Sequence, residues 1–329
     1  MNTGVAARLI IYGAGAIGGT IGSRLFASGS DVVLVARGAH REAIAADGLR
    51  LISPEGTLVQ RIPVIGGPAE LDWRADDVVV LATKSQDSVG VLDGLAAVAP
   101  DGVAIACAQN GVANERAALR RFASVYAICV QLPSTHLEPG LVVAHSAPLA
   151  GGLDVGRYPA GLDDRARAIA AAFAAAGFAS SARPDIMRWK YAKLLRNTHN
   201  SIRALVGAPP AGRELERLVD EESRAVLAGA GIDHASDAEY ERNHRGAVTI
   251  RPIEGYANTL GSTWQSLARG SGVTEADYLN GEIVLEARLH GLRAPVNELL
   301  ARLAARAARE RVQPGSMREE DVLALLARG

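Results

Sequence analysis

An apolar run, Leu9-Ile10-Ile11-Tyr12, feeds directly into Gly13-Ala14-Gly15-Ala16-Ile17-Gly18, and no other stretch limits the fold as tightly. After it, Ile17, Ile21, Ser23, Leu25 and Phe26 recur at positions that share the buried side of a helix. The bare G-x-G-x-x-G pattern arises by chance in a chain with 35 glycines. Between a strand and a helix it is a dinucleotide-binding fingerprint. Gly13 is expected to make the tight turn, Gly15 to let the backbone approach a pyrophosphate, and Gly18 to let the helix pack on the strand. The free N–H groups and the positive dipole end of that helix then favour the anion. Gly13, Ala14, Gly15, Ala16, Ile17 and Gly18 are therefore the expected cofactor cradle.

The second strand is expected over residues 31–36, and its tip decides which dinucleotide fits. An NAD-preferring fold places Asp or Glu there, which binds the ribose 2′-hydroxyl and repels a 2′-phosphate. Here the tip is Arg37, whose planar fork matches a phosphate oxygen pair and points to NADP. The alternative is a solvent-facing loop arginine. His40 and Arg41 lie nearby with nothing to separate them from ordinary surface residues.

A small β excursion follows over residues 48–64, then a buried parallel strand near 76–83 ending in Lys84-Ser85-Gln86, a helix near 88–98, and a strand at 103–108 ending in Gln109-Asn110-Gly111. Ligands sit beyond the carboxyl ends of strands in open α/β sheets, so Lys84 and Asn110 are candidates; ordinary turn chemistry is the competing account of Asn-Gly. Strand signals at 125–130, 141–145, 149–155 and 177–181, with a helix at 162–176, complete an α/β domain over residues 1–183. His136 and His145 have no cysteine or carboxylate cluster beside them, and no metal-ligand spacing occurs.

From Pro184 the pattern turns helical, giving a second domain over 184–329. Its first segment, expected as one helix over 185–206, carries Lys193, Asn197, Asn200 and Ser201 at i, i+4, i+7 and i+8, on one side. A solvated face explains such stripes; against it, few acidic residues are at hand to pair with the cations. Ser262 or Thr263 is a candidate helix cap, and a later helix is expected to hold Glu275, Tyr278, Leu279 and Ile283.

With 35 basic and 36 acidic residues the chain has no basic field, which argues against nucleic acid and anionic membrane as partners. Two cysteines, Cys107 and Cys129, lie in apolar runs, make no disulfide framework and suit a reducing compartment. The first strand begins too early to leave room for a signal peptide, and no apolar stretch is long enough to span a bilayer, so a cytoplasmic protein is expected.

In this order and spacing, Gly13–Gly18, Arg37, Thr83-Lys84-Ser85, Gln109-Asn110-Gly111, Lys193-Leu194 with Asn197, Ser262 three residues before Gln265, and Glu275-Ala-Asp-Tyr-Leu-Asn-Gly281 resemble the ketopantoate reductase family over essentially the whole chain. The resemblance implies an N-terminal Rossmann-type domain and an all-α C-terminal domain like that of 6-phosphogluconate dehydrogenase. It also implies NADPH-dependent reduction of 2-dehydropantoate to pantoate, on the way to pantothenate and coenzyme A. Lys193 matches the family's catalytic lysine and Glu275 the acidic residue that orients it. Asn110, Asn197 and Ser262 match substrate-binding positions, with Asn200 and Ser201 beside them. Lys84 and Asn110 match residues near the nicotinamide. The chain departs from the pattern at Ser201 and Ser266, where the family commonly has Asn and Asp, and in a loop before Glu275 that is one residue longer. All three departures lie on the substrate side. The rivals are a sister reductase for another small keto acid or imine and a non-catalytic NADP sensor. An Ala/Leu-rich helical domain suits a homodimer.

Overall fold

The computed structural model describes residues 7–256 and 261–328; the outermost residues of the expected domain ranges, 1–6 and 329, lie outside these. The chain divides into two compact units. One comprises Met1–Gln109, Asn114–Met187 and Ala238–Asn258; the other comprises Asn110–Ala113, Arg188–Asp237 and Thr259–Gly329.

The first unit is built on β1 (Leu9–Tyr12), α1 (Ala16–Ala27), β2 (Val32–Val35), α2 (Gly38–Asp47), β3 (Leu49–Ser53), β4 (Gly56–Gln60), β5 (Val64–Ile65) and β6 (Val78–Leu81). It continues with α3 (Ser88–Ala96), β7 (Ala104–Cys107), α4 (Ala113–Leu119), β8 (Ser124–Gln131), β9 (Ser134–Thr135), β10 (Leu141–Ala144), β11 (Gly152–Arg157) and α5 (Asp164–Ala175). The main sheet has seven strands in the order β11-β8-β7-β6-β1-β2-β5, all parallel except β11. A second sheet, β4-β3-β10-β9, takes up most of the β excursion. The expected strand at 177–181 is reduced to isolated bridges from Ala179 and Ala182 to β11.

Period-2 alternation sends side chains to two cores. Leu9, Ile11, Leu34, Val78, Val80 and Ile128 face one cluster, while Ile10, Val35, Val79, Leu81, Ile105 and Cys107 face the other. Burial on both faces accounts for the uninterrupted apolar runs. Just before β1 and β6, Arg8 and Asp77 form a buried two-point ion pair, Nε to Oδ1 at 2.9 Å and Nη2 to Oδ2 at 2.7 Å, which clamps the two central strands.

The sequence suggests a single cut after residue 183, yet residues 238–258 group with the first unit. The tie is polar. Buried Asp154 on β11 accepts from Asn243 Nδ2 at 3.1 Å and Arg183 Nε at 3.0 Å, with His244 Nε2 at 3.5 Å. Burial pushes the Asp154 carboxyl up, but the His244 hydrogen bond and the Arg183 charge outweigh it and leave it below its ordinary range. Farther on, Thr249 donates its N–H to Ser146 Oγ at 3.0 Å.

The helical elements are α6 (Ile186–Asn197), α7 (His199–Leu205), α8 (Arg213–Gly229), α9 (Asp237–His244), α10 (Ser262–Ala268), α11 (Asn280–Leu289), α12 (Pro295–Arg309) and α13 (Glu319–Leu326). Ile202, Leu205, Leu215, Val219, Leu267, Leu299 and Leu300 form the core of the second unit. The helix expected over 185–206 is interrupted at Thr198. Its hydroxyl donates to Leu195 O at 2.6 Å, and its carbonyl accepts from Asn280 Nδ2 at 3.1 Å, so local and tertiary partners compete with the helical ladder. No helix among the described residues is long and apolar enough to cross a membrane.

Candidate functional site

Chain order and sheet order reverse between β1 and β6: from β1 the chain runs outward through β2 to β5, then crosses to β6 on β1's other side. That reversal opens the crevice in which α/β sheets bind ligands. Gly13 follows β1 at a φ of +102°, and a Cβ there would meet Thr83 N and Cγ2 at 3.0 Å. A Cβ on Gly18 would lie 2.0 Å from Gly13 O, so only glycine lets α1 start so close to the turn. Over Gly15 the space is open, with His136 Cδ2 the nearest atom at 4.0 Å. Gly15 caps α1, whose first turn carries no acidic residue, so the N–H groups that open this helix have no competing carboxylate from that turn. The cradle fits a diphosphate. Beside it, the buried Thr83 Oγ1 has no hydrogen-bond partner among the described residues.

Arg37 is exposed at the end of β2, at the N-cap of α2, and its side chain makes no hydrogen bond or ion pair among the described residues. Neighbouring Arg41 is held by Glu70 at 3.0 Å. Lys84 is half-buried after β6, and its carbonyl accepts from Asp87 N at 2.9 Å. Asn114 Nδ2 to Ser85 Oγ and Gln109 Nε2 to Ser88 Oγ, both 3.0 Å, fix the segment that follows it. Thus the first unit brings together the glycine turn and Lys84, with Arg37 at the tip of the adjoining strand.

Asn110, Lys193, Asn197, Asn200, Ser201, Ser262 and Glu275 all fall in the second unit. Lys193 and Asn197 are one turn apart on α6; Lys193 is half-buried, and buried Asn197 has an Oδ1 without a hydrogen-bond partner among the described residues. Asn200 Nδ2 lies 3.5 Å from Ser262 Oγ. Ser201 is fully buried and donates to Asn280 Oδ1 at 2.6 Å. The expected cap at Ser262 or Thr263 is instead Gly261, at a φ of +110°, where a Cβ would strike Asn200 Oδ1 at 2.8 Å. Glu275 is not inside a helix. It caps the short 3-10 turn Ala276–Tyr278, because Leu279, at φ −117° and ψ −85°, separates that turn from α11. Glu275 is buried; burial lowers the Arg269 guanidinium below its ordinary value, with the Glu275 charge acting the other way. Asn110 is half-buried, and a Cβ on the adjacent Gly111 would meet Tyr278 O at 2.7 Å.

The structure adds groups that sequence reasoning passed over. Asn280 joins Ser201, Thr198 and Asn297, the last at 3.0 Å, and Asn297 Nδ2 reaches Glu222 Oε1 at 2.9 Å and Ser223 Oγ at 3.0 Å. His40 contacts the glycine turn itself. Neither carries a local pattern that announces it.

The family model described as Ketopantoate reductase PanE/ApbA matches residues 9–159, and that described as Ketopantoate reductase PanE/ApbA C terminal matches residues 185–308. The chain is 31% identical to a 2-dehydropantoate 2-reductase of Halobacterium salinarum over 319 residues, covering 92% of this chain and 99% of that one. Among solved structures, it is similar to a PanE/ApbA family ketopantoate reductase from Ralstonia eutropha JMP134, with a TM-score of 0.76 and 28% identity over 92% of this chain and 99% of that one. The fold is shared with D-mandelate dehydrogenase, solved with NADH and anilino(oxo)acetate, at a TM-score of 0.77 and 20% identity over 92% and 99% of the two chains. Matches that run from the glycine turn through the C-terminal helices place this chain in the ketopantoate reductase (PanE/ApbA) family, as an oxidoreductase with a nicotinamide dinucleotide for its cofactor.

Proposed function

We propose that the chain reduces 2-dehydropantoate to pantoate with NADPH, with residues 1–183 holding the cofactor and residues 184–329 the substrate. The observation that carries the reading is the pairing on α6: Lys193 and, one turn on, a buried Asn197 whose Oδ1 awaits a partner. A buried unmade hydrogen bond is costly, so such an atom is expected to be satisfied by a ligand. The nicotinamide dinucleotide, held by the glycine turn, would supply the hydride for the substrate's carbonyl carbon. Negative charge then develops on the carbonyl oxygen, where Lys193 Nζ stabilises it and delivers the proton as general acid. Glu275 orients Lys193 and engages the substrate hydroxyl, while Asn110, Asn197, Asn200 and Ser262 bind the substrate. Ser201, whose hydroxyl is given to Asn280, acts by holding this shelf in place. On the cofactor side, Gly13 to Gly18 take the diphosphate, Arg37 the 2′-phosphate, and Lys84 and Asn110 the region of the nicotinamide. NADPH over NADH is supported by an exposed Arg37 that no carboxylate engages among the described residues. The same reading carries a cytoplasmic location, and the Ala/Leu-rich helical domain suits a homodimer.

Steady-state oxidation of NADPH and of NADH with 2-dehydropantoate is the test. An efficiency of about 10⁴ per molar per second or more with NADPH is expected. Lys193→Ala is expected to lower turnover about a hundredfold or more in a folded protein; near-normal turnover removes the general-acid role. The commitment of Ser201 to Asn280, where the family commonly has a second asparagine, favours one further reading: a sister reductase for another small 2-oxo acid. Binding of NADPH without turnover of 2-dehydropantoate, followed by turnover in a panel of 2-oxo acids, selects it.

A further inference from the structure

His40 sits two residues into α2, half-buried, with both ring nitrogens engaged. Its Nε2 lies 2.7 Å from Ala14 O in the glycine turn, and its Nδ1 accepts the Gly140 N–H at 2.8 Å. A carbonyl can only accept and an amide N–H can only donate, so the ring must be neutral with its proton on Nε2. One side chain thereby ties together three segments far apart in sequence: the glycine turn, α2, and the turn before β10. Gly140 has a φ of +75°, and a Cβ there would lie 3.0 Å from Ala43 Cβ of α2, so the tie is closely packed. The His136 ring stands against His40 at 4.2 Å between centroids, its Nδ1 donating to Leu141 O at 2.9 Å. The edge of that ring is also the atom nearest to the open space over Gly15.

The consequence lies in the peptide that His40 grips. The unit joining Ala14 to Gly15 is planar and trans, so its C=O and N–H point in opposite directions. Anchoring Ala14 O toward α2 aims the Gly15 N–H away from α2, and Gly15 is the residue that caps α1 at the mouth of the cradle. We propose that His40 is a positioning residue of the dinucleotide site, holding the Ala14–Gly15 peptide so that its N–H is directed at the cofactor diphosphate, with the His136 ring as the wall of that space. The inference rests on the nicotinamide dinucleotide as cofactor but not on which keto acid is reduced or on whether NADPH or NADH is preferred.

Fluorescence titration of purified protein with NADPH and, separately, with NADH tests it. His40→Ala is expected to weaken both dinucleotides about tenfold, the scale of one well-placed hydrogen bond. His40→Gln keeps one donor and one acceptor and is expected to recover most of that loss, which a merely space-filling role would not require. Unchanged affinity in His40→Ala, or a His40→Gln protein no better than His40→Ala, would overturn the proposal. If wild-type protein binds neither dinucleotide, the cofactor reading itself fails and the proposal with it. A measurement on wild-type protein guards against misfolded variants: ¹⁵N NMR of the His40 ring at neutral pH is expected to show a proton on Nε2 and none on Nδ1, and the opposite tautomer overturns the geometry.

Discussion

At the scale of single residues, the cofactor side depends on atoms that leave no slack. Gly18→Ala would put a methyl group 2.0 Å from a backbone carbonyl that cannot rotate away, so the turn or the start of α1 must move. A loss of about 2–3 kcal/mol or more in urea unfolding, with weakened dinucleotide binding, is expected. Arg37 calls for a different measurement because its exposed side chain makes no hydrogen bond or ion pair among the described residues. Arg37→Ala is expected to weaken NADPH by about ten- to a hundredfold, the value of charge-assisted hydrogen bonds to a phosphate, while NADH changes by less than about twofold. Equal losses for both would show that Arg37 does not read the 2′-phosphate. The glycine turn and the basic tip of β2 were both legible in the sequence as local features, since they answer to local backbone geometry and charge. His40 was not: its partners, Ala14 and Gly140, come from two other segments.

Among the elements, the break at Thr198 shows how tertiary partners reshape a local pattern. The stripe of Lys193, Asn197, Asn200 and Ser201 reads as one helix because its spacing is helical. The chain instead forms α6 and α7, with Asn280 of α11 bound to the Thr198 carbonyl and the Ser201 hydroxyl on either side of the break. Asn280→Ala would remove at once the donor to that carbonyl, the acceptor of that hydroxyl and the donor to Asn297 Oδ1, all in a buried network. Its expected cost is about 3 kcal/mol or more by urea unfolding, against about 1 kcal/mol for Ser201→Ala, which strands a single partner. A cost for Asn280→Ala no greater than for Ser201→Ala would mean the three bonds do not act as a network. The misplacement of Glu275 in a helix has a similar origin, for only the backbone angles at Leu279 separate its turn from α11.

For the whole molecule, pH is the most direct probe of buried polar ties. Burial pushes His40 and His145 below the ordinary value of 6.5, against the pull of the Ala14 carbonyl at His40. Below that pH the unfolded chain therefore binds more protons at these positions than the folded one, so stability rises with pH through this window. Their contribution is complete above 6.5 and is lost as the pH falls toward the folded values. Asp154 adds a separate loss at lower pH: its folded value lies below 3.8, so its contribution holds above 3.8 and vanishes as the pH falls through the folded value. The melting temperature is thus expected to drop between about pH 7 and about pH 5, and again under strongly acid conditions. A melting temperature flat across the first interval would contradict the burial of neutral imidazoles. By itself the sequence determined the parts that answer to local rules: strand and helix periodicity, the glycine turn that ends β1, the basic tip of β2, and the change from sheet to helix after residue 183. Tertiary structure alone decided that residues 238–258 join the sheet-bearing unit, that Thr198 ends a helix, and that His40 grips the glycine turn. The physical reason is the same in each case. A buried hydrogen bond is settled by whichever partner the fold delivers, and that partner is 26 residues away at His40, 82 at Thr198 and 89 at Asp154.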